Sequence, residues 1–262
     1  MSTLWGMWKS TLATPAVRLC ICFLGLTAPT LPAAAFRPFD GTDAVVADPG
    51  KLEIELQPAG TLHDRSGTTL IAPATRFNFG LKEGWEAVLE GRVETPLSEP
   101  GPSSLTEAGM FLKNVVKPGS LQDKPGASIA TEFGVLLPDS IGNTGFGASW
   151  AAIVSQRWDW GAVHLNIATA LTREHHSDIF LGTILEGSLK WKVRPVAEFF
   201  YEREFGQFET LSSLVGLIWQ VNEDLAFDVA VRHALTNGQP VNELRAGLTV
   251  GFPLWRNGTM KH

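Results

Sequence analysis

From Lys51 to Phe252, apolar and polar side chains alternate one by one, segment after segment. In Glu243–Phe252, Leu244, Ala246, Leu248, Val250 and Phe252 fall on one face. Glu243, Arg245, Gly247, Thr249 and Gly251 fall on the other. A strand sends successive side chains to opposite faces, whereas a helix would scatter this set around its surface. The pattern recurs near Val163–Leu171, Asp224–Arg232, Lys192–Glu202 and Trp85–Glu94, and more weakly near Leu52, Leu70, Leu105, Ser128, Phe146, Ile179 and Leu211. These are twelve candidate strands. With no amphipathic helix or linker between them, the expected fold is all-β: one antiparallel transmembrane barrel over residues 51–252.

A soluble sandwich would show the same alternation, and the aromatic residues argue against it. Trp85, Trp158, Trp160, Trp191, Trp219 and Trp255 map to one end of their strands. Phe146, Phe180, Phe199 and Tyr201 map to the other. Two bands at opposite strand ends match the girdles that sit at lipid headgroups, while a sandwich core would bury tryptophan mid-strand. The connections also differ in kind. Gly80–Gly84, Trp158–Gly161 and Val221–Asp224 read as tight turns. Gly60–Gly67, Leu97–Ser104, Leu137–Gly145 and Glu202–Glu209 read as longer loops on the opposite side. Lys117–Ala127 is long yet falls on the tight side.

Residues 1–35 read as a signal peptide. Lys9 and Arg18 precede the apolar run Leu19–Leu26, and Ala33-Ala34-Ala35 offers a cleavage site. Both cysteines lie within it, which leaves the remainder without a disulfide or thiolate site. Its removal takes the net charge from −6 to −8, since it holds two basic residues and no acidic ones. That balance excludes nucleic acid as an expected partner. Residues 36–50 read as a short periplasmic segment and 253–262 as a C-terminal extension.

The polar face carries the candidate functional residues. Arg76, Glu90, Arg92, Lys113, Glu132, Arg157, His164, Glu186, Arg194, Glu198, Asp228, Arg232, Glu243 and Arg245 are expected to line a lumen. Two readings of that face compete. The charges line a conducting pore for a small-molecule solute, or they zip into salt bridges that fill a narrow barrel. A third reading is a lipid-modifying hydrolase. His164 and Asn166 share one face, with Ser149 and Ser155 on the neighbouring strand. A lumenal histidine in a hydrogen-bond network is the commoner use of such a residue. Glu174-His175-His176-Ser177-Asp178 reads as a hydrated surface loop rather than a metal site. No catalytic residue, cofactor or metal is expected.

Phe77–Glu86 has the form of a strand ending aromatic-Gly-Leu, a polar turn, and a strand starting Trp-Glu. Trp219–Asp228 repeats that form, followed by Val231–Ala234 and Asn242–Leu248. In these segments the chain resembles the outer-membrane transporters grouped as the MetA-pathway phenol-degradation family. The resemblance implies a barrel in the cell outer membrane with a role in transport of small aromatic or apolar compounds. It supplies no catalytic residues. Outer-membrane lipids and the barrel-assembly machinery are the other expected partners, with Phe252 the C-terminal aromatic that the machinery would read.

Overall fold

The computed structural model describes residues 38–99 and 101–255. The expected signal peptide and the last residues of the C-terminal extension lie outside them. Twelve antiparallel strands form the wall. They are β1 (Lys51–Asp64), β2 (Gly67–Lys82), β3 (Trp85–Pro96), β4 (Ser104–Lys117), β5 (Ser128–Leu136) and β6 (Gly147–Trp158). The second half comprises β7 (Gly161–Leu171), β8 (Ser177–Gly187), β9 (Val193–Glu204), β10 (Phe208–Asn222), β11 (Leu225–Thr236) and β12 (Gln239–Pro253). Each pairs with its neighbour in sequence, and β1 pairs with β12 from Lys51↔Pro253 to His63↔Asn242, closing the barrel. Closure leaves no sheet edge, which a wall facing lipid requires.

The alternation read in the sequence decides which face points where. In β11, Phe227, Val229, Val231 and Leu235 point outward, while Ala226, Asp228, Ala230 and Ala234 are buried. The same holds in β12, where Leu244 is 48% exposed and Arg245 only 6%. Large apolar side chains on the outside and charges within invert the order of a soluble protein. Only a hydrocarbon environment stabilises such a wall. Among the described residues, no helix is long and apolar enough to cross a membrane.

The barrel's lower end carries the turns at 83–84, 159–160 and 223–224, the start of β1 and the end of β12. Trp158, Trp160, Trp191, Trp219 and Trp255 are about half exposed there, with Trp158 and Trp160 stacked at 5.4 Å. At the upper end, Phe146 and Phe199 face outward. Phe180 does not. It shares the inward parity of Asp178 and Gly182 and rests on Phe200 at 5.0 Å between ring centres, inside the barrel. Two expected loops also shrink. β1 and β2 run on to a turn at Arg65 and Ser66, where Asp64 accepts hydrogen bonds from the Ser66 hydroxyl and from the Ser66 and Gly67 N–H groups. Those bonds, led by the Ser66 hydroxyl, hold the Asp64 carboxyl below its usual range. β9 and β10 likewise extend, leaving only residues 205–207 between them.

Ladder irregularities gather in the first strands, between Leu56 and Ala59, Ile71 and Ala74, and Glu90 and Arg92. Pro58 and Pro73 fall in the first two of these gaps; neither has an N–H to give to the ladder.

Candidate functional site: a charged lumen and the segment seated in it

Residues 38–50 are not a periplasmic segment. They enter at the lower end and climb inside the barrel. Gly50 N–H donates to Gly80 O, and a Cβ on Gly80 would stand 1.9 Å from the Asp48 carbonyl oxygen, so glycine there is what lets the two backbones touch. An extended segment surrounded by wall has no neighbouring strand to satisfy its backbone, and a buried backbone must find partners. Lumen side chains supply them. Ala47 N–H donates to Glu86 (2.6 Å) and Ala44 N–H to Ser155 Oγ (3.0 Å). Asn166 accepts from Thr42 N–H (3.0 Å) and donates to Thr42 O (2.8 Å). The Glu198 carboxylate accepts from both Asp40 N–H (2.9 Å) and Gly41 N–H (2.7 Å). At the top, Arg245 donates to Pro38 O (2.7 Å) and Asp40 Oδ1 (2.9 Å). Gly41 fits because a Cβ would lie only 3.1 Å from both Asn166 and Glu198.

The anomalous connection between β4 and β5 has its explanation here. It holds a single 3₁₀ turn, Ser120–Gln122, which folds against the base of the segment. Leu121 packs with Ala44, Ala130 and Ile153 in a small buried cluster, and Gln122 donates to Ala44 O at 2.8 Å. Ser120 Oγ accepts from Arg157 N–H, and the Arg157 guanidinium pairs with Asp123. The length of the loop carries this turn and its contacts with Ala44 and Arg157.

All of the residues expected on the lumen face lie inside the wall, and all but Asp228 divide into two sets. The lower set works on the segment. Lys113, fully buried, donates to Thr42 Oγ1 (3.0 Å) and stands 3.8 Å from Asp43. Glu198 and Arg245 act as described. His164 contacts Ser155 Oγ through Nδ1 at 2.9 Å, with Glu186 3.8 Å from its other nitrogen and Arg194 3.9 Å from Glu186. The serine–histidine–carboxylate order has the appearance of a hydrolytic group. Its serine oxygen, however, is fully buried and capped by the Ala44 N–H, so the group anchors the segment.

The upper set lines open space. Arg76 bridges Glu90 (2.5 Å) and Glu132 (2.6 Å), Arg92 bridges Glu94 (2.6 Å) and Glu107 (2.8 Å), and Arg232 pairs with Glu243 (2.9 Å). Asp228 belongs to neither set: it is buried on the inner face near the lower end, just beyond the turn at 223–224. Above the segment lies a cavity of about 320 Å³ lined by Phe39, Phe180, three arginines (Arg76, Arg92, Arg245) and six carboxylates (Asp40, Glu55, Glu90, Glu107, Glu132, Glu243). The carboxylates outnumber the arginines, so the cavity's field favours cations.

Missing from the sequence reading were Asp40, Thr42, Ala44 and Ala47, and the service of Glu86 and Ser155 to them. One signal was available: the long connection on the tight-turn side. The segment itself carries no periodicity, because its partners are side chains from six different strands.

No family model and no curated protein matches the chain. Solved structures do match, in shape. The KdgM porin superposes with a TM-score of 0.53 at 11% identity, over 77% of this chain and 99% of that one. The COG4313 outer membrane channel from Pseudomonas putida F1 superposes with a TM-score of 0.56 at 7% identity, over 87% and 100%. The fold is that of an outer-membrane barrel. At these identities the likeness concerns architecture alone.

Proposed function

We propose that the protein is an outer-membrane pore, a passive transporter of small solutes whose lower lumen is stoppered by residues 38–50. One observation carries this reading: a charge-lined cavity in the upper lumen stands directly over a segment held by discrete, reversible hydrogen bonds. A permanently filled barrel would use side chains packed against each other from wall to wall, as narrow barrels do. Here the obstruction is a separate piece of chain, and shifting it would join the cavity to the lower mouth.

The solute reading follows from the cavity. Phe39 and Phe180 are among its lining residues, and the excess of carboxylates favours cationic or dipolar molecules over anions. The aromatic lining also suits the small aromatic compounds that the phenol-degradation resemblance implies. Outer-membrane lipid around the apolar wall and delivery by the barrel-assembly machinery belong to the same reading.

Planar-bilayer recording tests it. The native chain is expected to show small or rare conductance steps with a reversal potential that favours cations over anions. A chain lacking residues 38–48, checked for the heat-modifiable gel migration of a folded barrel, is expected to show large, steady conductance. Proteoliposomes of that deletion would then be compared across aromatic, cationic and anionic solutes. Silence of both chains at every voltage would overturn the pore.

A further inference from the structure

We propose that the upper rim of the barrel holds a binding site for a divalent transition-metal ion of the zinc class, formed by Glu174, His176 and Glu204. The connection 172–176 joins β7 to β8, and Glu204 ends β9, so residues distant in sequence meet at one point of the rim. One donor atom from each of the three lies within 4.8 Å of the others. His176 Nδ1 is 2.8 Å from Glu204 Oε1 and 3.8 Å from Glu174 Oε2. Nitrogen and carboxylate donors about 2.0–2.2 Å from a tetrahedral ion stand about 3.4 Å apart, so side-chain adjustments of about an ångström would seat one. Imidazole with two carboxylates suits zinc and its neighbours better than calcium or magnesium, which take oxygen alone.

The surroundings hold these donors in place. Thr172 Oγ1 accepts from His176 N–H (3.1 Å) and donates to Glu204 Oε1 (3.3 Å), tying loop to strand. The Gln207 amide lies 3.2 Å from His176 Nε2, the ring nitrogen that keeps its proton when Nδ1 binds a metal, and its oxygen can accept that proton after an amide flip. Charge gives a second, independent reason. Asp178 stands directly across from Glu204 in the β8–β9 pairing, it is 9% exposed, and its Oδ2 has no hydrogen-bond partner among the described residues. Like charges facing each other across a sheet destabilise it, and a buried unpaired carboxylate oxygen costs more. A cation at Glu204 relieves the repulsion between the two facing carboxylates. Such an ion would clip the β7–β8 connection to β9 at the mouth. It is independent of whether the lumen conducts.

The test uses tag-free barrel in detergent, titrated with Zn²⁺ by calorimetry and with Cu²⁺ by electron paramagnetic resonance. The expected result is one saturable Zn²⁺ per barrel and a Cu²⁺ spectrum split by a single imidazole nitrogen. His176→Ala and Glu204→Gln should each weaken binding by more than about 100-fold, beyond what loss of a ligand's supporting hydrogen bond costs. His233→Ala, which removes an exposed imidazole elsewhere on the barrel, should change nothing. Folding of each variant is read from heat-modifiable migration, and Glu174→Gln, in the exposed loop, replaces any variant that fails it. Absence of saturable Zn²⁺ binding, a spectrum without nitrogen splitting, or unchanged affinity in folded variants would overturn the proposal.

Discussion

Glu198→Ala isolates one end of the lumenal segment. The carboxylate accepts two backbone N–H groups, Asp40 at 2.9 Å and Gly41 at 2.7 Å, and it is fully buried. Hydrogen bonds to a charged group contribute about 1.5–3 kcal/mol each. Arg245 still grips Asp40 Oδ1 and Pro38 O in the variant, which puts the combined loss at the low end, about 3 kcal/mol. Since 1.4 kcal/mol is a factor of ten, local opening of residues 38–42 should become about 100-fold more frequent. Residue-resolved amide exchange measures this directly. The Asp40 and Gly41 amides should exchange about 100-fold faster, while Ala44 and Ala47, held by Ser155 and Glu86, keep their protection. In bilayers the variant should open more often than the native chain. Unchanged exchange at residues 40 and 41 would refute the assigned anchor. Simultaneous loss of protection from 40 to 47 would refute the division of the segment into separately held parts.

Two further outcomes are expected. Gly80→Ala places a methyl carbon 1.9 Å from the Asp48 carbonyl, a contact that only backbone movement relieves, so the entry of the segment shifts and conductance rises; native-like conductance with a folded barrel would count against it. Phe252→Ala removes the last outward aromatic of β12, and membrane fractionation should show a lower yield of assembled barrel; normal levels would mean that the assembly signal lies elsewhere.

The wall was legible in the sequence because a strand's side chains alternate by local geometry alone. Leu244 and Arg245 point opposite ways whatever surrounds them. The same local rule sent the charged set, from Arg76 to Arg245, to one face. At Phe180 the girdle assignment failed, not the alternation: an aromatic near a strand end was placed outside although its parity with Asp178 already pointed inward. The loop reading failed at Gly60–Gly67 and Glu202–Glu209, where polar residues that favour turns sit inside long hairpins, and the ladder to the next strand overrides their local preference.

What sequence alone determined, then, is the closed, inverted wall and the list of charges that face inward, since both follow from a period of two. Only the tertiary structure decided what those charges do. Whether Glu198 lines a channel or holds Asp40 and Gly41 depends on residues 158 and 157 positions away, and no local rule reports a partner at that distance. The rim cluster is a similar case. Glu174 and His176 are neighbours in sequence, but Glu204 reaches them only because β8 and β9 pair in the register that sets Asp178 against Glu204.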